Sequence, residues 1–353
     1  MTCIKIDKQL WAQGLAAAEA QYRLFGPVKQ GALYQFDALA AGQTPDLDGP
    51  NTRTSARAVV YPQSEVLFEY SLDSRDPEAH VFKETPAPAP RAALAVRPCD
   101  AYSFVLVRRN FEAPDVKDVY WLRNYAATVF VGLACDRPCS TCFCTSAGCG
   151  PYHEEGLDVL LVDEEDHYLA KTITDKGAAF LQTAGWRTPA DPEAEARIAQ
   201  RRSAAEARVV STVPTDRLAQ IPQLELYAAN FWQDLAFACI NCGTCTYLCP
   251  TCWCFDIQDE TRGNQGIRMR NWDSCMFPLF TLHGSGHNPR GQKVQRVRQR
   301  FMHKLKYYVD KYGDGIQCVG CGRCVQYCPV NIDIRRVCEL MNGYGQNAAC
   351  KVA

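Results

Sequence analysis

The sequence has no apolar run approaching the roughly 18 residues at which a segment begins to span a bilayer, so no membrane-crossing helix is expected. Its opening stretch, MTCIKIDKQLWAQGL, lacks the continuous apolar centre of a secretory signal, and the chain is expected to work in the reduced cytoplasm. An excess of charge is missing too: 38 basic against 39 acidic residues give neither nucleic acid nor an anionic membrane surface a reason to bind. No G-x-G-x-x-G follows a strand, and there is no Walker A loop and no nucleophile elbow. Neither flavin nor NAD is therefore expected in this chain, nor a catalytic site of its own.

Cysteine is what the sequence has in quantity, with 20 in 353 residues. In a reducing compartment thiols at that density serve as metal ligands or reactive groups and seldom as structural disulfides. Eight of them form one motif twice: Cys239, Cys242, Cys245 and Cys249 precede Pro250, and Cys318, Cys321, Cys324 and Cys328 precede Pro329. This C-x2-C-x2-C-x3-C-P run is the bacterial-type [4Fe-4S] pattern, whose fourth cysteine ligates the other cluster. The expected assignment is crossed. Cys239, Cys242, Cys245 and Cys328 would hold one cluster, and Cys318, Cys321, Cys324 and Cys249 the other. Gly243, Gly320 and Gly322 would let the ligand loops turn tightly. Paired C-x2-C units can also bind structural zinc, but two complete four-cysteine runs ending in Cys-Pro argue for iron.

The fold class expected is α+β. An α/β-type domain over 1–190 would be followed by a helical linker over 191–214 and a mainly helical two-cluster ferredoxin domain over 215–353. Candidate strands are Glu65 to Tyr70, Ala92 to Val96, Thr128 to Leu133 and Leu157 to Val162. Asp191 to Ala207 and Leu224 to Phe237 read as helices. The 68 residues between Cys249 and Cys318 are too many for a structureless loop, and they carry a further helix at Val294 to Tyr308. Its basic residues Lys293, Arg296, Arg298, Arg300, Lys304 and Lys306 read as a solvated face or, alternatively, as a dock for an acidic partner subunit.

In the N-terminal half, Cys135, Cys139, Cys142, Cys144 and Cys149 fall within 15 residues directly after the strand at Thr128 to Leu133. Cys99 follows the strand at Ala92 to Val96 in the same way. Because neighbouring strand ends converge, these six thiols read as the source of a third iron–sulfur cluster, with a zinc site or a reactive dithiol as alternatives. Cys142 and Cys144 can both serve one centre only if the chain bends sharply at Phe143. Cys252, Cys254 and Cys275 form another group, read either as packing thiols near the clusters or as a further metal site. Cys3, Cys338 and Cys350 carry no motif. His283 and His287 sit in a polar, glycine-rich segment and read as loop residues.

The segments ACINCGTCTYLCPTCWCFD, WDSCMFPLF, HGSGHNPR and CVGCGRCVQYCPVNID resemble the iron–sulfur beta subunit of cytoplasmic sulfhydrogenase-type [NiFe] hydrogenases and the related iron–sulfur subunit of anaerobic sulfite reductase. RPCD at Arg97 to Asp100 and CDRPCSTCFCTSAGCGP at Cys135 to Pro151 extend the resemblance to most of the chain from about residue 90. The resemblance implies a subunit that relays electrons between a diaphorase subunit binding FAD and NAD(P) and a catalytic module. That module would be hydrogenase small and large subunits, or a sulfite or heterodisulfide reductase. The resemblance also singles out Cys99, Cys135, Cys142 and Cys144 for the third cluster, with Cys139 and Cys149 as alternative ligands or redox-active thiols.

Overall fold

A computed structural model describes residues 3–79 and 81–346; Cys350 lies outside the described residues. It mixes helix and sheet. The larger sheet has seven strands in the order β1, β9, β8, β7, β6, β2, β3. These are β1 (Cys3–Asp7), β2 (Arg23–Gln30), β3 (Leu33–Ala38), β6 (Arg91–Val96), β7 (Thr128–Leu133), β8 (Val159–Asp163) and β9 (His167–Thr172). The central strands β2, β6, β7 and β8 run parallel, and β1, β9 and β3 pair antiparallel at the margins.

Every residue of β7 is buried, as expected of a parallel strand covered on both faces. On one face Val129, Val131 and Leu133 pack with Trp11 and Leu15 of α1 (Trp11–Glu19) and with Phe180 and Leu181 of α4 (Asp175–Thr183). On the other, Phe130 packs with Phe104 of α2 (Pro98–Phe111) and Trp121 of α3 (Val119–Ala126).

The remaining strands, β4 (Ser64–Ser71), β5 (Lys83–Glu84), β10 (Phe255–Arg262) and β11 (Gln265–Trp272), form an antiparallel sheet in the order β10, β11, β4, β5. Its central ladder joins β4 from the N-terminal half to β11 from the long insertion between the two cysteine runs. The buried Arg270 of β11 fixes this junction by donating to Glu65 of β4 at 2.6 Å and to Asp118, which caps α3. The insertion thus holds a β-hairpin that the sequence pattern does not foretell.

Downstream, α5 (Ala194–Ala207) lies inside the expected linker. The helix expected over Leu224 to Phe237 is interrupted, giving α6 (Gln223–Ala228) and α7 (Phe231–Phe237). The indole N–H of Trp232 donates across the break to the Leu226 carbonyl at 2.8 Å, replacing part of the helical ladder. The helix expected at Val294 to Tyr308 forms as α8 (Lys293–Met302), a π-turn over His303–Tyr307 and α9 (Tyr308–Tyr312). A last helix, α10 (Ile334–Asn342), buries Val337, Cys338 and Met341 in the core of this half. No helix among the described residues is long and apolar enough to cross a membrane.

Candidate iron–sulfur centres

The two cysteine runs fold alike. In the first, Asn241 and Gly243 have φ of 56° and 75°; in the second, Gly320 and Gly322 occupy the equivalent places with 62° and 73°. These left-handed residues curl each run so that backbone amides face sulfur: Asn241 N–H lies 3.4 Å from Cys239 Sγ, Gly320 N–H 3.5 Å from Cys318 Sγ, and Ile332 N–H 3.2 Å from Cys328 Sγ. Asn is the non-glycine residue that tolerates this conformation best, which is why the first run manages without a second glycine.

Three cavities take up the cysteines. The first is lined by Cys239, Cys242, Cys245 and Cys328. Cys249, Cys318, Cys321 and Cys324 line the second. Each therefore draws three thiols from one run and the last thiol from the other. Around the third stand Cys99, Cys135, Cys139, Cys142 and Cys144, together with Cys321. Cys149 is not on its wall; its thiol points to the Gly150 carbonyl at 3.8 Å, and burial pushes its pKa well up.

The parallel pairing of β6 with β7 brings Cys99 and the 135–149 loop to one edge of the sheet. Ala95, with φ of 54°, makes a bulge at the end of β6 that redirects the chain into Arg97-Pro98-Cys99. The chain also bends at Phe143. Its N–H donates to the Gly320 carbonyl at 2.9 Å, and its ring lines the second cavity while Cys142 and Cys144 line the third.

Two glycines make room for this contact. A Cβ on Gly320 would stand 2.5 Å from the backbone of Cys144, and one on Gly322 would stand 2.6 Å from the carbonyl oxygen of Thr141. Gly320→Asn suits the dihedral angle, as Asn241 shows, yet it has no space. It should therefore displace the 142–144 loop and lower the iron bound by the purified protein, whereas Asn241→Gly should leave the iron content unchanged. Equal iron in both variants would refute the close approach.

Arg323 locks the same junction. Only 1% exposed, it donates to both carboxylate oxygens of Asp100 at 2.5 and 2.7 Å, to the Thr52 carbonyl at 2.7 Å and to Asn51 Oδ1 at 2.6 Å. Asp100 neighbours Cys99, and Arg323 lies between Cys321 and Cys324. One ion pair thus fixes the third cavity against the second.

The basic helix is not a solvated face. Arg296, Arg300, Lys304 and Lys306 are all buried, and among the described residues only Lys306 has a carboxylate partner, Asp310 at 2.7 Å. Spaced four residues apart, Arg296, Arg300 and Lys304 share one helical side, and that side is turned inward. Arg300 lines both the first and second cavities, and Lys304 the second alone. The π-turn frees the Lys304 carbonyl to accept from Gln317 N–H at 2.9 Å, tying the helix to the residue before Cys318. Helical periodicity reveals the helix, but a run of six cations gives no sign that four are buried.

Arg57 is a functional candidate that the sequence does not advertise, since no motif surrounds it. It is buried, stacks 3.4 Å over the Trp272 ring, and donates to the carbonyls of Cys252 at 2.5 Å, Tyr247 at 3.0 Å and Cys249 at 3.2 Å. Cys252, Cys254 and Cys275 are free thiols, tied in through backbone contacts: the Cys252 carbonyl accepts from Arg57, and the Cys254 carbonyl accepts from Asp273 N–H at 3.0 Å. Among the described residues, no three Cys, His, Asp or Glu side chains gather closely enough to hold a single metal ion. His283 and His287 lie in an exposed turn closed by His283 N–H to His287 O at 2.9 Å.

Curled cysteine loops around enclosed spaces, with amides directed at sulfur and cations buried beside them, define an iron–sulfur protein. Residues 238–332 match the 4Fe-4S dicluster domain family. Over 348 residues the chain is 26% identical to sulfhydrogenase 2 subunit beta of Pyrococcus furiosus, covering 96% of this chain and 98% of that protein. No solved structure matches it significantly. The chain is thus similar to a sulfhydrogenase beta subunit along nearly its whole length, and its two cysteine runs fall within the 4Fe-4S dicluster match.

Proposed function

We propose that this chain relays electrons through three [4Fe-4S] clusters, between a diaphorase subunit that binds FAD and NAD(P) and a catalytic module of the [NiFe] hydrogenase type. The observation that carries this reading is the sharing of wall residues. Arg300 belongs to the first and second cavities, and Cys321 to the second and third, so the three form a continuous row. Cys242 is exposed at the outer end of that row, where an electron can cross to a partner.

The residues fit the group proposed for them. Buried Arg57, Arg300 and Lys304 form no ion pair with a carboxylate among the described residues. A buried cation without a counter-charge is costly, and the thiolates of a bound cluster supply one. When bound, the clusters provide reversible one-electron chemistry. The protein's part is to hold them at fixed separations, exclude water and set the local charge. The proposed ligands are Cys239, Cys242, Cys245 and Cys328; Cys249, Cys318, Cys321 and Cys324; and Cys99, Cys135, Cys142 and Cys144.

Anaerobically purified protein should contain about 12 irons per chain, four for each cubane. Zinc in place of iron would end the reading, and about eight irons would remove the third cluster. The subunits that copurify identify the module: a nickel-containing large subunit supports a hydrogenase, and a sirohaem subunit points to sulfite reduction.

A second reading, reduction of sulfur or a disulfide by an N-terminal thiol, is favoured at one residue. Cys139 stands on the wall of the third cavity but is not among the four ligands proposed there, which leaves its thiol available. Cys149 lies off that wall with its thiol against the Gly150 carbonyl, so Cys139 is the better-placed of the two alternative thiols. Polysulfide reduction by the isolated chain with an artificial donor, abolished in Cys139→Ser with its iron retained, would establish this activity. Its absence from the unaltered protein would eliminate it.

A further inference from the structure

Arg300 stands between the two cavities of the paired cysteine runs. Only 4% exposed, it lines both; one of its Nη groups reaches the Cys245 carbonyl at 3.4 Å, it shares the wall of the second cavity with Cys324, and its Nε has no partner among the described residues. It therefore bonds the first run at Cys245 and borders the cavity of the second run beside Cys324. Lys304, one turn further on, bonds Thr251 Oγ1 at 2.7 Å and lines the second cavity only. Thr251 Oγ1 lies 3.3 Å from Cys249 Sγ.

We propose that Arg300 is the shared counter-charge of the first two clusters and favours the reduced state of both, while Lys304 does so for the second alone. This rests on the cluster reading given above. Reduction adds one electron to a cluster, taken in the test below from dithionite, with no bond made or broken. The added negative charge is stabilised by any nearby cation, and burial keeps that attraction from being screened by salt. Arg300 acts on both sites because its charge stands between the two cavities, whereas the Lys304 ammonium stands on the wall of the second alone. A cation held between the clusters also reduces the repulsion between electrons residing on both. The pair can then be fully reduced at a potential that would otherwise support only one electron.

The test is a redox titration with dithionite, followed by electron paramagnetic resonance, on the full iron-loaded chain and its variants. Arg300→Gln should lower the reduced-to-oxidised ratio of both couples at a fixed potential by at least tenfold, about 59 mV for a one-electron couple. Arg300→Lys, which keeps the charge, should restore most of that shift, and Lys304→Gln should displace one couple only. Unmoved couples in Arg300→Gln at full iron content would overturn the proposal, as would equal displacement in Arg300→Gln and Arg300→Lys. If Arg300→Gln does not load iron, the decision passes to Lys304→Gln, in which one couple falls tenfold or the proposal is wrong. Absence of iron from the unaltered protein would instead defeat the underlying cluster reading.

Discussion

Arg323→Leu should destabilise the iron-loaded protein by about 3–5 kcal/mol, the usual consequence of leaving one partner of a buried ion pair uncompensated. The orphaned group is Asp100, about 1% exposed, whose carboxylate oxygens both lose their guanidinium donor, as do the Thr52 carbonyl and Asn51 Oδ1. Arg323→Lys should recover little, because an ammonium cannot reproduce the two parallel bonds and the third branch together. Anaerobic denaturant titration measures the loss. A cost below about 1 kcal/mol would mean that the junction is held by packing and not by the ion pair. Should the variant still fold, iron loss should begin at the third cavity, since Cys99 loses its anchored neighbour.

Cys321→Ser should abolish electron flow through the assembled complex while leaving each partner's own chemistry measurable with artificial dyes. The cysteine lines both the second and third cavities, so its removal strikes the row at its junction. Cys242→Ser should interrupt the row at its exposed end, leaving the iron of the third cavity in place. Both variants need iron analysis beside the kinetic assay. Undiminished relay in both would sink the proposed route.

The sequence made some of this arrangement readable and hid the rest for identifiable reasons. Thr128 to Leu133 stands as β7 with those same ends, and Ala92 to Val96 as β6 with one residue more, because continuous small and β-branched apolar residues suit a strand covered on both faces. Their parallel pairing follows the expected convergence of Cys99 with the 135–149 loop. The hairpin of β10 and β11 was harder to read because β10 is almost wholly exposed and polar, leaving no period-two signal. The inward-facing cations were hidden for a different reason. Arg and Lys ordinarily face water, and only the placement of the thiols shows why Arg300 and Lys304 do not. Arg57 sits in a four-residue helix, Arg57–Val60, with no cysteine near it in sequence, so only the folded chain places it beside Cys249 and Cys252.

The ladder between β4 and β11 bears on how the chain is made. Ser64 pairs with Asn271, 207 positions later, and the whole first cysteine run is synthesised between them. β4 therefore leaves the ribosome with one edge unpaired and must wait until that run has emerged, a long-range closure of the kind that slows folding and exposes a strand to misassociation. The last proposed ligand of the first cluster, Cys328, emerges later still than β11, so this sheet can seal before that cluster is complete. Chains starved of iron should therefore already carry the β4–β11 ladder, with its amides protected from hydrogen exchange while the cysteine runs remain open.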